Sequence, residues 1–215
     1  MKIAILDYGI GNIGSLFNML KKIGVQPEIT NNINLLKTAD ALILPGVGAF
    51  DNAMKKLNEM KLIDILNDLV LNDNKPILGV CLGMQMLGNT SEESADNNIV
   101  KGLGWLAADT KKLRHIITDV KVKIPHMGWN YVKPQKDFFL FENINDQPRF
   151  YFAHSYYMHC ADNADILATA VHGNIEFTVA IRHKNIAGVQ FHPEKSHRFG
   201  LNFLKNFFSN LSKFR

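Results

Sequence analysis

The hydrophobic pattern switches between two periods along the first half of the chain. Residues 2–7 form a short apolar run, the mark of a strand buried on both faces. Leu16, Phe17, Met19 and Leu20 then recur at helical spacing. Residues 26–30 read as a second strand and 41–44 as a third, broken by Pro45-Gly46-Val47-Gly48. Helical periodicity returns over 53–71, and 76–80 is a fourth apolar run. Strands alternating with helices in this way predict a parallel α/β sheet.

After Glu93 the texture changes. Residues 120–124 alternate apolar and charged, and 149–157, 166–171, 177–181 and 186–191 are further strand candidates. Few helical patterns intervene, so this half is expected to be largely antiparallel. A last helix over 199–214 places Leu201, Leu204, Phe207, Phe208 and Leu211 on one stripe, a face for core packing. No repeat or low-complexity linker divides the chain. Residues 1–215 therefore read as one α/β domain, a central mixed, mainly parallel sheet flanked by helices.

Composition narrows the class. Hydrophobic residues make up 47% and charged residues 20%, ordinary for a soluble globular protein. Two cysteines, Cys81 and Cys160, make no disulfide framework and fit a reducing cytoplasm. Asp7 comes too early for a secretory signal, and no apolar run reaches the ~18 residues of a membrane span. The net charge is +4, with a loose basic group at Lys111, Lys112, Arg114, Lys121 and Lys123. That group reads as a solvated face, so no nucleic-acid partner is expected. Gly9-x-Gly11-x-x-Gly14 imitates a dinucleotide fingerprint, but no acidic residue closes the next strand about 20 residues later. It reads as a turn into the first helix, and neither cofactor nor metal is expected.

The chemistry concentrates at two strand ends. Gly79-Val80-Cys81-Leu82-Gly83 follows the fourth apolar run and leads at once into a helical stretch. Strand, tight turn and helix make a nucleophile elbow, whose flanking glycines let the backbone crowd and push one side chain out. The helix N-terminus behind the turn favours thiolate over thiol. A lone cysteine is as readily a small packing residue, but such a residue needs no glycine two positions away on each side. Gly188-Val189-Gln190-Phe191-His192-Pro193-Glu194 ends a second apolar run in a base and a carboxylate. Alone it could be a surface turn. Together the two suggest a Cys81-His192-Glu194 triad attacking an acyl carbonyl through a thioester. The oxyanion needs two backbone donors. Leu82 N–H follows the nucleophile, and Pro45-Gly46-Val47-Gly48 is a glycine-rich loop able to bring Val47 or Gly48 as the second, a plain turn being the alternative.

These residues resemble the class I glutamine amidotransferases, and within them the glutaminase subunits that feed a cyclase in histidine biosynthesis. Cys81-Leu82-Gly83-Met84-Gln85 and His192-Pro193-Glu194-Lys195-Ser196 are motifs of the class. Asp7-Tyr8-Gly9-Ile10-Gly11-Asn12, Leu44-Pro45-Gly46-Val47-Gly48-Ala49-Phe50, Met127-Gly128-Trp129-Asn130 and Tyr151-Phe152-Ala153-His154-Ser155-Tyr156 narrow it further. The resemblance spans essentially the whole chain. It implies hydrolysis of glutamine to glutamate and ammonia. It also implies that Gly46, Gln85, Glu93, His154, Ser155 and Tyr156 hold glutamine. Met127, Trp129, Asn130 and Lys195 would face a (β/α)8-barrel cyclase in a heterodimer, with 127–130 as a loop. Read alone, Glu93 is a solvated turn residue and Trp129 is equally a core residue. Ser94 stands where the family often has glycine, and His197 and Arg198 add positive charge beyond the family pattern.

Three other functions remain open at this level. The same glutaminase could supply ammonia for amination of a surface-polysaccharide sugar, since the acceptor never touches this subunit. A free-standing cysteine hydrolase would act without a partner on other substrates. A binding module with an inactive site is disfavoured by the intact Cys81, His192 and Glu194.

Overall fold

The computed structural model of the chain describes residues 1–135, 139–144 and 147–214. The apolar runs become the strands they predict. β1 (Lys2–Leu6) leads through Asn12 into α1 (Ile13–Lys22), then β2 (Gln26–Thr30), α2 (Ile33–Thr38) and β3 (Ala41–Leu44) follow. α3 (Phe50–Glu59) and α4 (Ile63–Asn67) precede β4 (Ile77–Val80), and α5 (Leu82–Met86) comes directly after Cys81. Three short strands, β5 (Thr90–Ser91), β6 (Val100–Lys101) and β7 (Ala108–Lys112), open the second half. β8 (His126–Tyr131), β9 (Lys133–Pro134), β10 (Arg149–His154) and β11 (Tyr156–Cys160) follow. β12 (Ile166–His172), β13 (Ile175–His183), β14 (Ile186–Val189) and α6 (His197–Ser209) complete the order.

Among the described residues the main sheet runs β2-β1-β3-β4-β14-β13-β12-β9. β1 pairs parallel with β2 and β3, β3 with β4, and β4 with β14, while β14-β13-β12-β9 are antiparallel. This is the mixed sheet that the two textures of the sequence predict. Alternation along β1 sends Ile3 and Ile5 into one core and Ala4 and Leu6 into the other. The first core takes Leu16 and Leu20 of α1 and Phe203, Leu204 and Phe207 of α6. The second takes Phe50, Ala53 and Leu57 of α3. Smaller sheets β10-β8 and β11-β7-β5-β6 stand beside the main one. Among the described residues no helix is long and apolar enough to cross a membrane.

Four expectations need correction. The helix expected over 53–71 is broken: α3 ends at Glu59, Lys61 adopts φ 55°, and the chain resumes as α4 and a π-helical turn Asp68–Asn72. Residues 120–124 form no strand. Arg114 takes the carbonyls of Ile117, Asp119 and Val122, so these acceptors serve a side chain instead of a ladder. The run 149–157 is two strands parted at Ser155, β10 pairing with β8 and β11 with β7. Finally, Met127-Gly128-Trp129-Asn130 is no loop. It is the middle of β8, held opposite β10 with Trp129 facing Tyr151 and His126 facing His154.

Candidate active site

The parallel strands β3, β4 and β14 end on one edge of the sheet, and the chemistry sits there. Cys81 leaves β4 at φ 55°, ψ −111°. A non-glycine residue so placed costs on the order of 1–3 kcal/mol and persists only where its surroundings enforce it. Here the Cys81 N–H donates to Val189 O at 2.8 Å, and its carbonyl accepts from Met84 N at 3.1 Å and Gln85 N at 3.3 Å. The turn is therefore tied to β14 on one side and α5 on the other.

The neighbouring glycines permit the close approach. A Cβ on Gly79 would lie 2.7 Å from Gly83 O and 2.8 Å from Met84 Cα. A Cβ on Gly83 would collide with the Leu44 carbonyl. A Cβ on Gly46 would meet Gly83 N at 2.8 Å. So α5 rests backbone against backbone on β4, on the end of β3 and on the loop that follows.

His192 lies just beyond β14, its N–H donating to Tyr151 O at 2.9 Å. A single 3₁₀ turn, Pro193–Lys195, folds Glu194 back beneath the imidazole, where Nδ1–H donates to Oε1 at 2.8 Å. Ser196 pins the turn: its hydroxyl donates to His192 O at 2.6 Å and accepts from Tyr151 N at 3.0 Å. Both the His192 and Glu194 side chains are buried, and Glu194 Oε2 has no hydrogen-bond partner among the described residues. Cys81 and His192 line the same cavity, so the imidazole stands beside the sulfur. Burial opposes a charged ring, but the hydrogen bonds and charges of Cys81 and Glu194 outweigh it and push the His192 pKa up to about 10. A protonated imidazole beside the sulfur is the charge state of an activated thiol.

A cavity of about 360 Å³ opens over this pair. Val47, Gly48, Cys81, Leu82, Gln85, Glu93, His154, Ser155, Tyr156, His192, Lys195 and Met127 all line it, with Pro125 and Ala153. Gly46 sits behind the wall against Gly83 and Leu82, and Glu194 behind His192. Leu82 is the first residue of α5, so its N–H has no acceptor within the helix. Gly48 has φ 97°. Glu93 accepts from Phe50 N at 3.3 Å. Burial raises the Glu93 pKa, the Phe50 N–H works against that, and Asp51 adds to the rise.

The remaining expected residues are held as follows. Gln85 is buried and already engaged: its amide donates to Gln190 Oε1 at 2.8 Å and Tyr156 O at 3.3 Å. Trp129 is exposed, stacked on His197 at 5.5 Å, with the Arg149 guanidinium over its ring at 5.5 Å. Met127 and Tyr131 share its exposed side of β8. Asn130 alternates inward, where its amide donates to Val171 O at 2.8 Å. Lys195 lies over the Tyr151 ring at 5.6 Å.

The sequence reading missed Gln190 and Tyr8. Gln190 Nε2 donates to Cys81 Sγ at 3.7 Å, linking sulfur to Gln85. Its place two residues before His192, at the end of the same apolar run, was the available signal. Tyr8 is fully buried and donates to Pro45 O at 2.6 Å, anchoring the base of the glycine loop. A tyrosine two residues beyond an apolar strand gave little hint of that partner 37 residues away.

The chain is similar to known proteins over most of its length. The family model for class-I glutamine amidotransferases matches residues 4–211. An imidazole glycerol phosphate synthase subunit HisH 2 of Methanococcus maripaludis is 52% identical over 205 residues, covering 95% of this chain and 98% of that protein. The protein of the same name from Pseudomonas aeruginosa is 47% identical over 205 residues, with coverage of 95% and 98%. A chain in the structure of PurLQS from Thermotoga maritima superposes with a TM-score of 0.69 at 16% identity, covering 98% of both chains, a likeness of fold.

Proposed function

Since the chain belongs to the class-I glutamine amidotransferases, we propose that it is the glutaminase subunit of an imidazole glycerol phosphate synthase, hydrolysing glutamine at Cys81 and passing ammonia to a cyclase partner. The observation that carries the reading is the convergence of an elbow cysteine and a carboxylate-bound histidine in one cavity. The near-full-length likeness to proteins called HisH supports the choice of pathway. Residues 1–215 act as one catalytic domain.

The steps follow from the geometry. Cys81 Sγ attacks the carboxamide carbon of glutamine, forming a C–S bond. His192 holds the thiol proton and delivers it to the departing nitrogen, so ammonia leaves and a γ-glutamyl thioester remains. Water then attacks the thioester, His192 takes its proton, and glutamate departs as the thiol is restored. Glu194 orients the imidazole and offsets its charge. The Leu82 N–H and a peptide N–H at Val47 or Gly48 stabilise the oxyanion in both halves. Glu93 pairs with the substrate ammonium, and the segment of His154, Ser155 and Tyr156 closes the other side of the pocket.

The exposed row Met127, Trp129 and Tyr131 on β8, with Lys195 nearby, is the face offered to a (β/α)8-barrel cyclase. Partner binding would set the loop 45–48 into its oxyanion-binding state, which requires that the partner favour that state energetically. The test is complementation of a histidine auxotroph that lacks its glutaminase subunit, alongside glutaminase assays on the purified chain with and without its cyclase. Growth restored by the wild-type chain and not by Cys81→Ala supports the proposal. Glutamine hydrolysis without growth, in a host supplying a compatible cyclase, would move the ammonia acceptor to another pathway.

A further inference from the structure

A second set of histidines lies behind the glutamine pocket, on β8 and β10. The antiparallel register places His126 directly across from His154, and both are buried. The His126 Nδ1 and His154 Nε2 atoms are 2.9 Å apart. His154 Nδ1 is 2.7 Å from Tyr156 O, and His126 Nε2 is 3.0 Å from the amide nitrogen of Asn130.

Donor and acceptor roles follow from the ends of this chain. A carbonyl only accepts, so His154 carries its proton on Nδ1 and donates to Tyr156 O. A neutral His154 then offers Nε2 as an acceptor, and His126 must donate to it from Nδ1. That leaves His126 Nε2 to accept from Asn130. The Asn130 amide is fixed independently, because its Oδ1 accepts from Tyr131 N at 2.8 Å and its Nδ2 donates to Val171 O at 2.8 Å. Every polar atom in the chain is satisfied in one tautomeric arrangement only, with both rings neutral. Burial, reinforced by the neighbouring histidines, lowers the pKa of His126 to about 3. Burial also lowers that of His154 to about 4, against the opposing bond to Tyr156 O. His172 covers the His126 ring at 4.3 Å while bonding Lys123 O through Nε2, and Phe152 stacks on His126 at 4.7 Å. Among the described residues no set of three such side chains is placed to hold a metal ion.

The chain ends on a carbonyl that matters. Tyr156 O also accepts from Gln85, so one backbone oxygen receives two side-chain donors at the wall of the cavity. We propose that His126, oriented by Asn130, is a positioning residue for glutamine binding: it fixes the His154 ring and, through it, the Tyr156 carbonyl and the 154–156 segment. The inference rests on the glutaminase reading for its substrate. His126 itself touches neither Cys81 nor the cavity, so its removal should weaken substrate binding more than the chemical step.

The test combines a spectroscopic and a kinetic readout on the full chain. Nitrogen-15 spectra of the imidazoles in the wild-type protein at neutral pH should show His126 and His154 both protonated on Nδ1. Finding the proton of His154 on Nε2 overturns the proposal, whatever the enzyme's substrate. For kinetics, His126→Phe keeps the ring stack and loses the donor, while His126→Asn keeps a donor at the δ position. With glutamine, the phenylalanine variant should raise KM about tenfold and change kcat by less than about threefold, the loss expected when one oriented hydrogen bond goes. The asparagine variant should recover most of the KM. An unchanged KM in His126→Phe, a loss confined to kcat, or no recovery in His126→Asn overturns the positioning role. Absence of glutamine hydrolysis by the wild-type chain in the presence of its cyclase would instead remove the glutaminase reading and leave the tautomer result standing.

Discussion

The backbone contact behind Cys81 gives a prediction that can be worked from distances. Gly79 lies in the middle of β4, directly under α5. In Gly79→Ala the new Cβ would stand 2.7 Å from Gly83 O, 2.8 Å from Gly83 C and 2.8 Å from Met84 Cα. All three are backbone atoms, so no flexible side chain can turn aside. Ordinary contact begins at 3.4 Å, so α5 must lift by about 0.7 Å. Overpacking of this kind costs about 1–3 kcal/mol, or a fall in Tm of roughly 2–12 °C for a domain of this size. The same shift carries the Leu82 N–H and the Cys81 turn away from the catalytic position. A misplacement of about 1 Å can cost about a hundredfold in rate, so kcat/KM should fall about ten- to a hundredfold. Gly14→Ala in α1 is the matched control, because a Cβ there meets nothing within 4 Å. It should leave activity unchanged and hold or raise Tm, since alanine favours helix over glycine by up to ~1 kcal/mol. The assays are calorimetric or spectroscopic melting and steady-state glutamine hydrolysis. A Gly79→Ala protein with wild-type Tm and kcat/KM would refute the argument that close backbone packing makes the elbow.

Three further outcomes follow from the same site. His192→Asn should cost nearly as much in kcat/KM as loss of the nucleophile, and Glu194→Gln clearly less, because the carboxylate orients and offsets charge while the imidazole moves the proton; an active His192→Asn enzyme would contradict the triad. Tyr8→Phe should leave the Pro45 carbonyl without its donor, lower stability by about 1–3 kcal/mol and reduce kcat more than it raises KM, measured by denaturant unfolding and initial rates. The two buried histidines should make the fold acid-sensitive. Their pKa values are lowered to about 3 for His126 and about 4 for His154. Below the ordinary value of 6.5 the unfolded chain therefore takes up protons that the native state refuses. Stability then falls as pH drops from 6.5 toward 4, by up to about 1.4 kcal/mol per pH unit for each ring. His126→Phe should flatten that slope by about one ring's share in urea titrations at several pH values, and an unchanged slope would count against neutral burial.

The sequence exposed the frame of the site better than its supports. Three of the parallel strands near the N-terminus, β1, β3 and β4, announce themselves because burial on both faces leaves continuous apolar runs such as Ala41-Leu42-Ile43-Leu44. Cys81 and His192 were legible because each ends such a run, and strand ends on one edge of a parallel sheet converge. What escaped notice depends on pairing. Residues 127–130 are expected as a loop from the family resemblance alone, whereas they lie within β8 with Met127, Trp129 and Tyr131 exposed on its outer side. Only its register with β10 brings His126 to His154, and nothing local to either residue reveals it. Residues 120–124 show the opposite failure: correct alternation for a strand, but the Val122 carbonyl is taken by the Arg114 side chain and the Lys123 carbonyl by His172. The 53–71 stripe is periodic throughout, yet Lys61 turns into left-handed backbone and divides it, a local event that hydrophobic spacing does not record.

The central claim is that Cys81, and not Cys160, forms the covalent intermediate with glutamine. Both cysteines are buried, but only Cys81 lines the cavity beside His192. Burial, together with Asp165 and Asp162, pushes the Cys160 thiol up to about 12, leaving it protonated and inert at neutral pH. The decisive measurement is acid-quenched peptide mass mapping of the chain during glutamine turnover, run beside hydrolysis assays on Cys81→Ala and Cys160→Ala. The account predicts a glutamyl adduct on the Cys81 peptide alone, hydrolysis in Cys81→Ala reduced by more than about a thousandfold, and Cys160→Ala close to wild type. An adduct on Cys160, or near-normal hydrolysis by Cys81→Ala, would contradict it.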